Sequence, residues 1–362
     1  MSGRRIATEA QALLQLSALP GVGLRGLRGL VSTFGSARVA LEASRARFAA
    51  LTTNRAASAR DAPLIEAATR DGLRRAADAG MVLCTWSDPR YPPMLHQLAD
   101  PPPVLFLRGR VELLARPGVT IVGSRKATAR GREIARSLGA ALAHSGITVV
   151  SGMALGIDGA AHSGAVEGGG GTIAVLGCGA DRAYPASNRR LFRDILRDDL
   201  VVSEFLPGTP ALPHHFPRRN RILAGLSHTI VVVEAARKSG SLITVEHALD
   251  LGLEVTAVPG PIDQAACDGS NSLLADGARP LVSVTDFVRE LGGQEVAPAG
   301  AAEGLRGPER RVVLGLERGP AQVDELASRL GMDVRETLTV LAALEISGRV
   351  VQEPGLRFRR AS

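Results

Sequence analysis

Cysteines, long apolar runs and a secretory signal are scarce or missing in this 362-residue sequence. The three cysteines, Cys84, Cys178 and Cys267, are far apart and odd in number, which argues against a disulfide framework and a clustered zinc site. The longest apolar runs, such as Thr229–Val233, fall far short of the roughly 20 residues that a membrane span needs. The opening segment, Met1–Ser17, lacks the apolar core of a secretory signal. We therefore predict a cytoplasmic protein without a membrane span.

Lysine and aromatic residues are also rare. Of the 43 basic residues, 41 are arginine and only Lys126 and Lys238 are lysine. This ratio is typical of a coding bias, so the formal net charge of +7 leaves a polyanionic partner and a compositional origin equally open. Aromatic residues make up 3% of the chain, and any platform on which bases stack must therefore be small.

Several catalytic and nucleotide-binding motifs are absent from the sequence. Neither lysine follows a glycine, as a P-loop requires, which excludes ATP hydrolysis by that route. The fingerprint G-x-G-x-x-G is missing after the first predicted strand, and the strand ending at Val150 is followed by Ser151-Gly152 instead of an acid, which argues against NAD. H-E-x-x-H and G-x-S-x-G are missing too. We predict a protein that is not an enzyme, with no catalytic residue, cofactor or metal.

Short β-branched runs alternate with helical stretches between residues 80 and 292. The predicted strands are Val119–Val122, Ile147–Val150, Thr172–Leu176, Leu200–Val202, Thr229–Val233 and Glu254–Val258, and the predicted helices include Gly131–His144 and Leu242–Leu251. Strands that alternate with helices indicate βαβ units. The fold class predicted for this region is therefore α/β, with a Rossmann-like, mostly parallel sheet. Such sheets bind ligands beyond the carboxyl ends of their strands.

The two ends of the chain have a different character. Residues 1–75 are predicted to form a helical domain, in which the turn Leu19–Gly23 suits a helix-hairpin-helix phosphate site and a plain helical corner equally well. Residues 293–304 are predicted to be a linker. Residues 305–362 indicate a winged helix-turn-helix, with helices at Pro308–Glu317, Val323–Leu330 and Val334–Ile346 and a hairpin around Pro354-Gly355. The acidic Glu336 and Glu345 in the third helix leave protein contact and DNA reading both open.

Three polar clusters follow the predicted strands. The first is Gly123-Ser124-Arg125 with Lys126, whose amides, hydroxyl and guanidinium suit a phosphate, although Ser124 could also be a plain helix cap. The second runs from Ser151 to Asp158 and is followed by His162. A hydrolytic triad of Ser151, Asp158 and His162 is conceivable, but an Asp–His pair four residues apart is more often structural.

The third cluster is Phe216–Arg221, at a loop-to-helix junction that leads into an apolar stretch interpreted as a strand. It is followed by the hydroxyl-rich segment Lys238–Thr244. A solvated charge run is the alternative, but apolar residues on both sides make it less attractive. Several anion-binding loops along one edge of a sheet describe a channel for a chain of phosphates better than a pocket for one. We therefore expect backbone amides and guanidinium groups to converge there in one positively charged surface.

These motifs, together with Gly269-Ser270-Asn271-Ser272-Leu273-Leu274, resemble those of the DNA-processing protein A family (DprA, also called Smf). The resemblance covers roughly residues 80–285. It implies a homodimer that binds single-stranded DNA without catalysis, protects incoming DNA during natural transformation and loads the RecA recombinase on it. It further implies DNA contacts from Gly123, Ser124, Arg125, Lys126, Ser151, Gly152, Gly156, Ile157, Asp158, Arg218, Arg219, Asn220, Arg221, Lys238, Ser239, Gly240, Ser241 and Thr244. The family often has Arg where this chain has Leu155.

Two other functions remain as alternatives. This type of Rossmann core also resembles that of nucleotide-processing phosphoribohydrolases, but Pro259-Gly260-Pro261 does not continue into their P-G-G-x-G-T loop. The chain could also be a transcriptional regulator that uses residues 305–362. Phe205 and Phe216 are the two candidates for stacking on bases.

Overall fold

The computed structural model describes residues 8–292, 308–316, 319–346, 349–353 and 357–360. The linker predicted at 293–304 and the hairpin turn predicted at Pro354-Gly355 lie outside the described residues. The chain divides into two compact units, Met1–Gln294 and Glu295–Ser362. In the part of the chain that is described, no helix is long and apolar enough to cross a membrane.

The first unit begins with six helices. They are α1 (Glu9–Ser17), α2 (Leu24–Phe34), α3 (Ala37–Glu42), α4 (Arg45–Leu51), α5 (Asn54–Asp61) and α6 (Pro63–Asp78). Four of them begin after a Ser or Thr whose hydroxyl accepts a backbone N–H, namely Thr8, Ser36, Ser44 and Thr53. The turn Leu19–Gly23 lies between α1 and α2, as predicted, and Gly21 has a φ of 79° there. Apolar side chains of these helices share one core with the sheet.

A nine-stranded sheet forms the centre of this unit. Its strands are β1 (Val82–Thr85), β2 (Val104–Gly109), β3 (Gly118–Val122), β4 (Thr148–Ser151), β5 (Thr172–Val175), β6 (Leu200–Ser203), β7 (Thr229–Val232), β8 (Glu254–Ala257) and β9 (Arg279–Pro280). Their order is β1-β2-β6-β5-β4-β3-β7-β8-β9, and all neighbours from β6 to β9 are parallel. The antiparallel β1 and β2 extend one edge. The predicted Rossmann-like α/β sheet is therefore confirmed.

Helices lie between the parallel strands and after them. They are α7 (Ala129–His144), α8 (Ile157–Gly168), α9 (Arg189–Asp198), α10 (His215–Gly225), α11 (Leu242–Asp250), α12 (Asp268–Ala275) and α13 (Val284–Glu290). Helices α7 to α12 connect the parallel strands, and α13 follows the last of them. The chain builds outward from β3 to β6 on one side and then returns to place β7 on the other side of β3. This reversal between β3 and β7 is the switch point at which sheets of this type bind ligands. One prediction is wrong: the apolar stretch after Arg221 is not a strand. Both Phe216–Arg221 and this stretch lie within α10, which ends at Gly225.

The second unit contains α14 (Pro308–Gly315), β10 (Ala321–Gln322), α15 (Val323–Leu330), α16 (Val334–Ile346), β11 (Val350–Glu353) and β12 (Arg357–Arg360). The three strands form an antiparallel sheet in the order β10-β12-β11. Val312, Leu326, Leu341 and Phe358 are buried in its core. Three helices with this small sheet are the arrangement of a winged helix, as predicted. Val334 and Leu338 are exposed on α16, the helix that would read a groove.

Candidate nucleic-acid interface

A crevice of about 890 Å³ opens at the carboxyl ends of β3 and β7, at the switch point of the sheet. Twelve residues of the predicted binding site line it: Gly123, Ser124, Arg125, Lys126, Asp158, Arg219, Asn220, Lys238, Ser239, Gly240, Ser241 and Thr244. The separate loops are thus brought together, as expected. The other six predicted contacts, Ser151, Gly152, Gly156, Ile157, Arg218 and Arg221, do not line it.

Three cationic side chains at the crevice are exposed. Arg125 and Lys126 follow β3, and Lys238 follows β7. None of the three forms an ion pair with a carboxylate of the described residues. This distinguishes them from Arg218 and Arg221 on α10, which share the carboxylate of Glu204. The crevice therefore offers uncompensated positive charge to an anionic ligand from both sides of the switch point.

Two aromatic rings extend the cationic surface. The guanidinium carbon of Arg125 lies 4.9 Å from the ring centroid of Phe216, within range of a cation–π interaction. The ring of Phe216 lies 5.5 Å from that of Tyr184, which is 46% exposed. Both rings line the crevice. Sequence reasoning missed Tyr184 as a ring at this site, although its place in a loop after a parallel strand was a usable signal.

Phe205, the other predicted stacking candidate, does not have this exposure. It is 8% exposed, and its ring stacks on that of His215 with 4.1 Å between the centroids. The guanidinium carbon of Arg218 lies 5.6 Å from the same ring. Phe205 is therefore buried and does not line the crevice, unlike Phe216 and Tyr184.

The backbone amides around the first loop are taken up within the protein. The N–H of Ser124 donates to the carbonyl oxygen of Glu234 at 2.6 Å. The carboxylate of the same buried residue accepts the N–H of Thr128 at 2.9 Å and also its hydroxyl. The start of α7 therefore already has an internal anion. The N–H groups of Ser124 and Thr128 are therefore not free for a phosphate, and phosphate binding by the rest of this loop stays a prediction.

The second loop is closed in the same way by Asp158. Its carboxylate accepts the N–H groups of Gly152 at 3.1 Å and Ala154 at 3.4 Å, and burial raises its pKa. The N–H of Ile157 donates to the carbonyl of Ser124 at 3.2 Å. Gly156 has a φ of 76°, and a Cβ there would lie 2.1 Å from that carbonyl oxygen. The N–H groups of Gly152, Ala154 and Ile157 are thus bound within the protein, and contacts of this loop with phosphate stay a prediction.

The arginines of α10 have separate positions, which the sequence did not distinguish. Arg219 is 3% exposed and donates to the carbonyl oxygens of Gly152, at 2.8 Å, and Val175. Burial lowers the pKa of Arg219 to about 10, against the opposing effect of Asp158. Arg219 therefore touches the crevice from below and links the ends of β4 and β5.

Arg221 is also buried, and it faces away from the crevice. Its guanidinium donates to both carboxylate oxygens of Glu204 at 2.8 Å, and its Nε donates to the carbonyl of Asp100 at 2.6 Å. Burial acts to lower its pKa, but the hydrogen bonds and charge of Glu204 raise it overall. Arg218 is exposed but lies 3.0 Å from the same carboxylate. Neither Arg218 nor Arg221 lines the crevice, and their contact with DNA stays a prediction.

The conceivable hydrolytic triad is not assembled. The hydroxyl of Ser151 donates to the carbonyl of Ile121 at 2.7 Å, and the carboxylate of Asp158 binds backbone amides. The Nδ1 of His162 lies 2.7 Å from the hydroxyl of Thr172, and burial lowers the pKa of this imidazole to about 3. The three groups have different partners, so the pair is structural, as the more common alternative held.

Polar side chains hold the remaining wall of the crevice. The amide of Asn220 donates to the carbonyl of Gly240 at 3.1 Å, which ties α10 to the loop before α11. The hydroxyls of Ser239 and Ser241 lie 2.7 Å apart. The buried hydroxyl of Thr244 has no hydrogen-bond partner among the residues described. These groups form a polar floor between the cationic edges.

The fold and the crevice place the protein in the class of Rossmann-like α/β proteins that bind an anionic ligand at the switch point of the sheet. A winged helix follows this sheet in the chain. The chain matches the family model of DNA recombination-mediator protein A over residues 82–292 and that of the DprA winged helix domain over residues 296–355. It belongs to the DNA recombination-mediator protein A family, which confirms the resemblance drawn from the motifs.

Individual relatives agree with this assignment. The chain is 35% identical over 315 residues to Protein Smf of Synechocystis, covering 76% of this chain and 79% of the relative. An X-ray structure of DNA processing protein A from Streptococcus pneumoniae matches with a TM-score of 0.68 at 33% identity, covering 79% of this chain and 99% of that one. The protein from Helicobacter pylori, whose structure concerns its single-stranded DNA binding mode, matches with a TM-score of 0.54 at 29% identity, covering 59% and 97%.

Proposed function

We propose that this protein binds single-stranded DNA in the crevice at the switch point and acts as a recombination mediator. In this role it protects incoming DNA during natural transformation, loads the RecA recombinase on it and performs no chemistry itself. The homodimer implied by the family resemblance is part of the same proposal. The 80–292 region is the proposed DNA-binding domain, and residues 1–75 and 305–362 are proposed accessory domains.

The observation that carries the proposal is the pairing of three exposed cations that lack ion pairs in the described residues with two rings at the crevice, Tyr184 exposed and Phe216 half-buried. Arg125, Lys126 and Lys238 suit successive phosphates, because an uncompensated cation releases the counterions of a phosphate when it binds. Phe216 and Tyr184 suit unpaired bases, because a base offers its face to a ring only when it is not stacked in a duplex. The Helicobacter pylori relative is described as binding single-stranded DNA, which supports the same ligand here.

Fluorescence anisotropy with a labelled oligothymidylate, and with its duplex, tests the proposal. We expect the single strand to bind more tightly than the duplex. The logarithm of its binding constant should fall with the logarithm of salt concentration, with a slope of about −2 if three phosphates are neutralised at about −0.7 each. Addition of the protein should also accelerate strand exchange by RecA.

Two results would contradict the proposal. A preference for the duplex would favour the transcriptional-regulator alternative, with residues 305–362 as the reader. An affinity for the single strand that does not change with salt would exclude phosphate neutralisation as the source of binding.

A further inference from the structure

A second cavity, of about 840 Å³, lies between α7, α8 and α9. We call it the groove. Its lining includes Arg132 from α7, Gly159 and Ser163 from α8, and Asn188 and Arg190 at the start of α9. Of the residues that line the groove, only Gly156 belongs to the binding site implied by the family resemblance, and none lines the crevice.

The groove and the crevice share two chain segments. In the segment 154–159, Ala154 and Asp158 line the crevice, whereas Gly156 and Gly159 line the groove. In the segment 184–188, Tyr184 lines the crevice, whereas Ser187 and Asn188 line the groove. The two cavities are therefore neighbours along both segments, which together form a ridge between them.

The ridge is held in place by internal contacts. The side-chain amide of Asn188 donates to the carbonyls of Met153 at 3.0 Å and Ala154 at 3.2 Å, which joins the two segments. Met153 is buried and has a φ of 59°, a conformation that a non-glycine residue keeps only when its surroundings fix it. A ligand that passes from one cavity to the other therefore meets a preformed path.

Charge in the groove favours an anion after the internal pairs are counted. Both carboxylate oxygens of Glu167 are bound by Arg136 at 2.8 Å. Asp194 lies 4.0 Å from Arg197, which also binds Asp198 at 2.7 Å. Glu167 is thus compensated by Arg136, whereas Asp194 shares Arg197 with Asp198.

Two guanidinium groups remain on opposite walls. Arg190 is exposed and has no ion pair with the described residues. Arg132 is also exposed, and one of its N–H groups donates to the carbonyl of Ala127. Since a guanidinium has five N–H donors, Arg132 keeps others for a phosphate.

We propose that the groove is a second subsite for single-stranded DNA, which takes the phosphodiester backbone of a strand that leaves the crevice across the ridge. This proposal rests on the proposed function, because it extends the same track. The ligand contacts there are phosphates held by Arg132 and Arg190, and the small residues of α8 leave room for the backbone. The crevice alone then binds short strands, and the groove adds affinity only when the strand is long enough to reach it.

Charge reversal on α9 tests the groove. Arg190→Glu places a carboxylate in it, and Arg193→Glu is the matched control, because Arg193 is exposed on the same helix but does not line either cavity. Anisotropy is measured with oligothymidylates of roughly 4 to 16 nucleotides, the range that single-strand sites occupy. Thermal melting of each full-length variant checks that it is folded.

We expect wild type and Arg193→Glu to gain affinity with length to the same extent. Arg190→Glu should bind the shortest strands normally but lose most of the gain, and its salt slope on long strands should be shallower by about 0.7. An unchanged gain in Arg190→Glu, or an equal loss in Arg193→Glu, would overturn the groove while the proposed function stands. Failure of the wild-type protein to bind strands of any length would instead remove the proposed function.

Discussion

Phe216→Ala is expected to weaken the binding of single-stranded DNA by about 1–3 kcal/mol, or roughly 5- to 150-fold, the effect of removing an aromatic ring on which a base stacks. The ring of Phe216 lies 4.9 Å from the guanidinium carbon of Arg125 and 5.5 Å from the ring of Tyr184. Its removal therefore takes away a stacking surface and also the support that holds Arg125 in place. The measurement is the dissociation constant for a labelled oligothymidylate.

The control for this prediction is Phe216→Leu. Leucine keeps the apolar bulk that packs near Gly177 but has no π face. We expect Phe216→Leu to melt like the wild type and to bind nearly as weakly as Phe216→Ala. Wild-type affinity in Phe216→Leu would mean that the ring contributes bulk alone, and that bases do not stack there.

Glu204→Ala is expected to destabilise the folded protein by about 3–5 kcal/mol, the cost of breaking a buried ion pair by removing one partner. The carboxylate of Glu204 is 3% exposed and holds the guanidinium of Arg221, which is 7% exposed, through two hydrogen bonds of 2.8 Å. Without it, Arg221 keeps only backbone carbonyls and the largely exposed carboxylate of Asp100 at 3.7 Å, so its buried charge loses its main partner. The free energy of unfolding in urea measures the loss.

The double variant Glu204→Ala with Arg221→Met shows how much of the lost stability comes from the unpaired charge of Arg221. It removes both charges, so its stability should lie closer to the wild type than that of Glu204→Ala alone. A change in Glu204→Ala of less than about 0.5 kcal/mol, the usual range for a surface substitution, would show that Arg221 is not held as described.

The sheet could be predicted from the sequence because its strands carry their own signal. Each central strand is a short β-branched run that is buried on both faces, and small residues follow it where the chain turns. The strands β1 and β2, which extend one side of the sheet, were not predicted. They pair antiparallel and no α-helix lies between them, so the alternation of strands with α-helices that identified the others does not include them.

The direction of the side chains in α10 could not be predicted. Four polar residues in a row offer no periodicity, and the groups that bury Arg219 and Arg221 come from distant parts of the chain. These groups are the carbonyl of Gly152 and the carboxylate of Glu204, which lies 17 residues before Arg221. The helical repeat alone shows only that Arg218 and Arg219 point to different sides of the helix.

The internal acceptors of the backbone amides could not be predicted from the sequence for the same reason. A loop rich in glycine and serine before a helix is typical of an anion site, and the sequence does not show that an internal carboxylate occupies it. Asp158 lies within its own loop, but Glu234 reaches α7 from the end of β7. We therefore propose that side-chain cations, and not these backbone amides, bind the phosphates of DNA.

One triple variant, the crevice variant, combines Arg125→Ala, Lys126→Ala and Lys238→Ala. The salt dependence of its binding to single-stranded DNA tests most directly whether these three cations bind phosphates. The control replaces Arg47, Arg55 and Arg193 by alanine, which removes the same charge from exposed positions outside the crevice and the groove. We predict that the logarithmic salt slope becomes shallower by about 2 in the crevice variant and stays unchanged in the control. Equal slopes in the crevice variant and the wild-type protein would show that DNA binds elsewhere on the molecule.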